Sequence, residues 1–208
     1  MNQFLKTAQS PTRDSFIGTV VQGIGLCLFL TLVLGLAYPL AVTAIGQAFF
    51  PEKANGSLVK YDDKVVGSNL IGQDFSKTPF FQSRPSATSP QYNAQASSGS
   101  NLAPSNPRQS KLVETRAQAW LQATGSKDIP VDLLTASGSG LDPHISLAAA
   151  LYQLGTVSKK TGVSEQILRS LISKNTEHGL FGGPDYVNVL KLNLDVAYAA
   201  KAKVGALK

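Results

Sequence analysis

Residues 16–50 read FIGTVVQGIGLCLFLTLVLGLAYPLAVTAIGQAFF and carry no charged side chain. The nearest charged residues on either side are Asp14 and Glu52. A helix needs about 20 consecutive apolar residues to cross the hydrocarbon core of a bilayer. Because lipid cannot hydrogen-bond the backbone, a single span has to be helical. The stretch therefore predicts one transmembrane helix, from about Phe16 to Tyr38.

Pro39 predicts a kink or break at the end of this helix, because proline has no backbone N–H and its ring clashes one turn back. Residues 40–50 would then leave the membrane. Tyr38, Phe49 and Phe50 suit the membrane–water interface, where aromatic rings are enriched. We expect residues 16–50 to form the membrane helix and its interfacial exit.

A cleaved signal peptide is the alternative interpretation of the same stretch. Lys6 and Arg13 would form its basic region, and Val42-Thr43-Ala44 is an acceptable cleavage site. The apolar run exceeds the roughly 7–15 residues of a signal-peptide core, which favours a retained anchor. A mature chain beginning near Ile45 would contradict the anchor.

The rest of the chain has the size and charge of one ordinary domain. The chain has 208 residues and a net charge of +6, and its only cysteine, Cys27, lies in the apolar stretch. The soluble part therefore has no disulfide and no thiolate chemistry. Its basic residues are scattered, whereas nucleic-acid binders show a basic stripe with interleaved aromatics. We expect a polar lead over residues 1–15, the membrane segment over 16–50 and one α+β domain over 51–208.

Two β-rich runs around Asp62-Asp63 predict a hairpin directly after the membrane segment. Residues 67–106 are rich in Ser, Asn, Gln, Pro and Gly and have no periodicity. They predict a long polar loop or a disordered segment. A loop this long is uncommon in a compact domain unless it has a function.

Capping signals predict three helices. Asn106-Pro107 begins the first helix and Gly125 ends it. Asp142-Pro143 repeats this signature and predicts a helix over about His144–Lys160, and Ser164 caps a third helix. Residues 187–194 (VNVLKLNL) predict a strand, followed by a short Ala-rich helix.

Catalytic and metal-binding signatures are absent from the sequence. His144 and His178 stand in no metal-ligand spacing, and Ser139 lacks the glycine pattern of a hydrolase nucleophile. The stretch SGSGLDP, Ser137–Pro143, is the most suggestive one, because small residues before a helix N-terminus can bind an anion through backbone N–H groups. An ordinary loop-to-helix junction, in which Asp142 itself occupies those donors, is the alternative.

An ordered set of short motifs resembles the C subunit of Kdp, the bacterial high-affinity potassium-transporting P-type ATPase. Each motif is weak, but the set in this order is specific and covers nearly the whole chain. The motifs are Tyr38-Pro39, residues 54–58 (ANGSL), 70–75 (LIGQDF), 81–87 (FQSRPSA), Tyr92-Asn93, 99–103 (GSNLA), 105–107 (SNP), 134–137 (LTAS), 139–142 (SGLD), Val187-Asn188 and 192–194 (LNL).

This resemblance implies a single-span subunit of the cell (inner) membrane whose domain lies outside the cytoplasm. It implies three partners: a channel-like potassium-translocating subunit, an ATP-hydrolysing P-type subunit and a small single-helix subunit. The implied role is accessory, in assembly and as a catalytic chaperone that raises the ATP affinity of the hydrolysing subunit. No cofactor would bind the chain alone.

The resemblance also implies candidate nucleotide contacts, made together with the hydrolysing subunit. They match a family stretch that has been compared with an ABC-transporter signature. The residues are Ser137, Gly138, Ser139, Gly140, Leu141, Asp142 and Gln153.

We therefore expect a non-enzymatic protein. The span would pack against partner helices, and residues 82–106 would dock on the external face of the translocating subunit. We expect the entropy cost of ordering this loop to be offset only when the partner is present. A membrane-anchored external enzyme or small-ligand-binding domain that uses SGSGLDP is the alternative.

Overall fold

A computed structural model describes residues 16–205, without the side chains of residues 180 and 202–205. The polar lead expected over residues 1–15 lies outside this range. The described chain forms two compact units, which divide between Asn55 and Gly56. The first is an apolar helical unit, and the second is a domain of helices and small sheets. The predicted fold class, one N-terminal span candidate followed by an α+β domain, is confirmed.

The first unit is one uninterrupted apolar helix followed by a short turn of helix. Helix α1 (Phe16–Leu32) continues through a π-helical turn (Val33–Ala37) into α2 (Tyr38–Phe49), and α3 (Pro51–Ala54) follows. The helix is long and apolar enough to cross a membrane, and none of its most apolar part is buried in the protein.

The predicted break at Pro39 is wrong, because the helix continues through the proline; the alternative of a kink stays a prediction. The N–H of Tyr38 donates to the carbonyl of Val33, five residues back, which widens the helix directly before the proline. π-bulges occur as single turns inside continuous α-helices, and here the helix continues past the proline. The apolar helix therefore runs on to Phe49.

The second unit begins with the predicted hairpin, in which β1 (Leu58–Tyr61) pairs antiparallel with β2 (Lys64–Ser68). Asp62 and Asp63 both have positive φ angles, of 46° and 62°. Two adjacent left-handed residues are the signature of the two-residue turn that suits the twist of a hairpin. Residues 69–106, which we call the connecting loop, then form no helix or strand before α4.

Three helix starts are set by side-chain caps. Helix α4 (Pro107–Thr124) is capped by Asn106 and ends at Gly125, as predicted. The Asn106 side chain accepts the N–H of Arg108. Helix α6 (Glu165–Lys174) begins at Ser164, also as predicted. Helix α5 (Leu147–Thr161) begins at Ser146, whose hydroxyl accepts the N–H of Ala149.

The helix start predicted at Asp142-Pro143 is therefore wrong. His144–Ser146 forms a strand, β3, and α5 begins only after it. The Asp142 side chain does cap a backbone N–H, but that N–H belongs to His144 at the beginning of the strand, at 3.0 Å. The Asp142-Pro143 signature correctly predicted a turn, but the element that follows the turn is strand β3 and not a helix.

The strand predicted over residues 187–194 is also wrong beyond its first two residues. Strand β5 is only Tyr186–Asn188, and the long helix α7 follows over Val189–Gly205. The Asn188 side chain accepts the N–H of Lys191 and so begins the helix. Alternating apolar residues suggested a strand, but Val189, Leu192 and Val196 are buried at helical spacing.

A three-stranded antiparallel sheet and helices α5, α6 and α7 enclose the core. The sheet order is β3-β5-β4, with β4 at Thr176–Glu177. Helix α4 packs on α5 through an edge-to-face contact of Trp120 with Tyr152, with 5.8 Å between ring centroids. The connecting loop contributes one fully buried side chain, Phe81, to this core.

Candidate functional site

The connecting loop is fixed in its first half by two buried carboxamides. Asn193 of α7 accepts the N–H of Phe81 at 2.9 Å and donates to its carbonyl at 2.9 Å. Gln153 of α5 accepts the N–H of Gln82 at 2.7 Å and donates to its carbonyl at 3.2 Å. Gln153 is 1% and Asn193 3% exposed. Each side chain reproduces the paired N–H···O exchange that a neighbouring strand would make.

Residues 137–142, which are the candidate anion site SGSGLDP without Pro143, hydrogen-bond to two separate parts of this loop. The N–H of Gly72 donates to the carbonyl of Leu141 at 2.7 Å. The N–H of Ser98 donates to the carbonyl of Ser139 at 3.0 Å. Residues far apart in sequence are therefore joined by backbone hydrogen bonds without forming a regular sheet.

The backbones approach so closely here that glycine is required. Gly140 has a φ of +67°, and a Cβ on it would lie 2.6 Å from the carbonyl oxygen of Ser98 and 2.8 Å from Cγ2 of Thr88. Gly138, two residues earlier, has no atom within 4 Å of its ideal Cβ. The small residues of SGSGLDP thus include one glycine that serves packing.

The part of the loop over residues 86–93 folds back on Ser86 and Thr88, both buried. The Ser86 hydroxyl donates to the carbonyl of Gly140 at 2.7 Å and accepts the N–H of Tyr92 at 3.0 Å. Thr88 Oγ1 donates to the carbonyl of Pro90 and accepts the N–H of Asn93. Burial raises the pKa of Tyr92 to about 12, so its hydroxyl remains a donor to the carbonyl of Arg84.

Asp142 forms a polar cluster with the loop. Its Oδ2 lies 3.1 Å from Nη1 of Arg84, and its Oδ1 accepts the N–H of His144. Partial burial acts to raise the pKa of Asp142, but the hydrogen bonds from His144 and the nearby Arg84 guanidinium outweigh it and hold that pKa below its usual value of 3.8. The carboxylate therefore stays ionised and joins the loop to the segment 137–142.

The seven residues predicted to contact nucleotide fall into two groups. Ser137 to Asp142 are contiguous beside the loop, whereas Gln153 lies in the core, with both polar atoms of its side chain bonded to Gln82. Within the segment, the N–H of Gly140 donates to the carbonyl of Ser137 and that of Leu141 to the hydroxyl of Ser139. These donors are occupied by the protein's own acceptors. Nucleotide contact by these residues stays a prediction.

Neither histidine belongs to a metal site within residues 16–205, where no group of three or more His, Cys, Asp or Glu side chains could hold an ion. His144 packs edge-on against Tyr186, with 4.8 Å between ring centroids. His178 Nδ1 lies 2.8 Å from the Asp185 carboxylate at the surface.

Sequence reasoning missed the two carboxamides that fix the loop. Asn193 was noticed only as part of a motif, and Gln153 only as a nucleotide contact. A signal was available for Gln153, which stands three or four residues from Ala149, Ala150 and Val157 in the predicted helix, where an apolar residue is expected. Asn193 gave no such signal, because residues 187–194 predict a strand. A buried carboxamide has to find hydrogen-bond partners, which marks such residues as supports for nearby irregular backbone.

Comparison with known proteins assigns a family. The sequence profile described as "KdpC: K+-transporting ATPase, c chain" matches residues 20–197. A protein of Pectobacterium atrosepticum named "Potassium-transporting ATPase KdpC subunit" is 55% identical over 173 residues, which cover 81% of this chain and 91% of the relative. Proteins of the same name from Sorangium cellulosum and Clostridium kluyveri are 52% and 47% identical, over 81% and 82% of this chain and 92% and 89% of the relatives.

Proposed function

This chain belongs to the KdpC family of K+-transporting ATPase c chains, and from that membership we propose that it is a non-catalytic accessory subunit of an ATP-driven, high-affinity potassium uptake complex. The similarity extends across most of the chain and most of each relative. The named relatives are subunits of a potassium-transporting ATPase. This agreement does not favour the alternative of an anchored external enzyme or ligand-binding domain.

The apolar helix is the membrane anchor in this proposal, and the domain after it lies on the extracytoplasmic side. The helix over Phe16–Phe49 is longer than a signal-peptide core. The family match begins at residue 20, within this helix, which supports a span that is retained in the mature subunit. The boundaries proposed for the three parts are residues 1–15, 16–50 and 51–208.

The partners in this proposal are a channel-like translocating subunit, an ATP-hydrolysing P-type subunit and a small single-helix subunit. We place the docking surface on residues 82–106, facing the external side of the translocating subunit. The observation that supports this choice is the connecting loop itself. Two buried carboxamides, an ion pair and a required glycine fix this long polar segment, although it forms no helix or strand.

The loop is already fixed in the isolated chain, which differs from the expectation that the partner would order it. Backbone groups of Phe81, Gln82, Tyr92, Asn93 and Ser98 all have partners within the domain. Docking of a preformed surface avoids most of the entropy cost of ordering a loop at the interface. We therefore propose docking without a folding step.

The subunit raises the ATP affinity of the hydrolysing subunit through assembly. A domain across the membrane from the cytoplasm cannot touch cytoplasmic ATP, so the proposed effect is transmitted through the partners. Direct nucleotide contact by Ser137 to Asp142 and Gln153 is a separate proposal. The N–H groups of Gly140 and Leu141 and the carboxamide of Gln153, which already have partners, argue against it.

Co-purification from membranes tests the proposal. We expect the wild-type chain, co-expressed with the ATPase subunits, to be isolated with them and to support potassium-dependent ATP hydrolysis. Deleting residues 86–104 should abolish co-purification. Because the deletion also removes the buried Ser86 and Thr88, Gln91→Arg at an exposed loop position tests the same surface without removing that packing. Substituting the exposed Val131 with Ser, outside the loop, is the matched control and should leave assembly intact. Normal co-purification of the deletion would refute the docking role.

A further inference from the structure

We infer that Gln153 and Asn193 are a pair of positioning residues that act on the partner subunits only through the backbone of Phe81 and Gln82. This inference rests on the proposed function for its effect on the complex. It concerns the loop that was proposed to dock, and it gives Gln153 a role different from nucleotide contact.

The hydrogen-bonding groups of the Gln153 side chain are fully used by the loop. A carboxamide offers one oxygen and one NH2 group, and in Gln153 both groups face the main chain of Gln82, at 2.7 and 3.2 Å. Gln153 is 1% exposed and borders a cavity of about 260 Å³ beside α4 and α5. A ligand in that cavity could hydrogen-bond its carboxamide only by displacing Gln82, because both polar groups are already used.

The Asn193 side chain matches Gln153 in the way it binds the loop. Asn193 makes the same two bonds to Phe81, each at 2.9 Å, from a different helix. Consecutive residues of the loop are thus held by α5 and α7, and the Phe81 ring is fully buried between them. Two carboxamides that bind the backbones of adjacent loop residues in the same way indicate that they hold the loop together as a pair.

The carboxamide pair acts next to the proposed docking surface, because the residues that it holds lie just before residues 84–98 in the sequence. Arg84, two residues after Gln82, pairs with Asp142, and Ser86, four residues after it, bonds to Gly140. The register of residues 84–98 against the segment 137–142 therefore starts from the residues that the two carboxamides fix. Loosening either carboxamide changes the placement of the whole docking segment.

The test compares Gln153→Met with Asn193→Leu in the full chain. Each change keeps the side-chain volume roughly constant and removes both hydrogen bonds. Ile172→Val, a core change in α6 away from the loop, is the control for lowered stability. Gln153→Asn, which keeps the carboxamide but shortens its reach, replaces Gln153→Met if that variant does not fold.

The first readout is hydrogen exchange of the full chain in detergent. We expect the Phe81 amide in Asn193→Leu and the Gln82 amide in Gln153→Met to exchange at least about tenfold faster than in the wild type. Ile172→Val should not single out these amides. Unchanged protection of both amides would overturn the inference without any reference to partners.

The second readout is the half-saturating ATP concentration of the assembled complex. We expect both variants to raise it by a similar factor, about three- to tenfold, with maximal turnover unchanged. The double variant should be less than additive, because the two groups support one stretch of backbone. An effect of Gln153→Met with none of Asn193→Leu would instead support nucleotide contact and overturn the inference. If the wild-type chain fails to assemble, the proposed function fails, and the exchange result still decides the role of the two carboxamides.

Discussion

The membrane helix and the connecting loop meet the same requirement in opposite ways. Every backbone N–H and C=O that is withdrawn from water needs a hydrogen-bond partner. The helix over Phe16–Phe49 finds these partners within itself, and none of its side chains is buried. The loop over residues 69–106 has no such ladder and takes its partners from distant side chains, such as Gln153 and Asn193.

This difference explains which region tolerates change. A helix whose bonds are local can lose many single side chains, provided that it stays apolar. A loop whose bonds come from other elements depends on a few particular residues, of which Gly140, Gln153 and Asn193 are examples. We therefore expect polarity to decide the outcome of a substitution in the helix, and shape and hydrogen bonding to decide it in the loop.

The largest effect should come from a charge in the membrane helix. Leu30→Arg places a cation near the middle of the span, at an expected cost of about 2.5–3.5 kcal/mol for insertion. We expect the variant chain to be lost from the carbonate-resistant membrane fraction. Val131→Arg, at an exposed position of the domain, is the control and should remain in the membrane. Full membrane retention of Leu30→Arg would contradict a lipid-exposed span.

The next largest effect should come from adding a methyl group at Gly140, where the segment 137–142 meets the loop. Gly140→Ala should lower the free energy of unfolding of the domain by about 2–3 kcal/mol, from the left-handed backbone and the overlap with Ser98. Gly138→Ala is a matched control in the same segment, because its Cβ would meet no atom. We expect it to change stability by less than about 0.5 kcal/mol. Equal effects in denaturant unfolding would show that the close approach at Gly140 is absent.

Much of the helical part was predictable because its signals are local. Asn106-Pro107, Gly125 and Ser164 each mark a helix end within a few residues, and the structure confirms all three. The span and the hairpin turn at Asp62-Asp63 are likewise visible as short patterns. A local pattern suffices where the hydrogen-bond partner is also local.

The wrong predictions in the domain, the helix start at Asp142-Pro143 and the strand over 187–194, fall where the hydrogen-bond partners are distant in sequence. The strand β3 and the short strand β5 exist because they pair with each other across more than forty residues, which no local pattern around Pro143 or Val187 reveals. The fixed loop was equally invisible, since its partners come from α5 and α7. The candidate segment 137–142 could be located, but the acceptors of its donors could not: the sequence offered Asp142, whereas Gly140 and Leu141 donate to Ser137 and Ser139.

The boundary between loop and helix gives a smaller effect. Asn106 is the last residue of the loop and caps α4 by accepting the N–H of Arg108 at 2.9 Å. Asn106→Ala should cost about 1 kcal/mol of stability, and Asn106→Gly only a few tenths. Thermal unfolding of the two variants measures this difference. If Ala and Gly were equivalent, the side-chain cap would contribute nothing.

The smallest effect is a pH dependence of the loop contact at Asp142. Its pKa is held below 3.8 in the folded protein, so the stabilisation is present above about pH 4 and is lost as the pH falls through the lowered value. For a partly exposed pair with Arg84 we expect at most about 1 kcal/mol. Asp142→Asn should remove this acid dependence. Acid titration of stability in both proteins tests the sign, and a contact that strengthened on acidification would contradict it.

Native-state hydrogen exchange of the wild-type chain alone, in detergent, tests the preformed loop most directly. We expect the amides of Phe81, Gln82 and Tyr92 to be protected as strongly as those of α5 before any partner is added, and their protection to change little on assembly with the ATPase subunits. Exchange at the rate of an open loop in the isolated chain, with protection appearing only in the complex, would contradict this expectation.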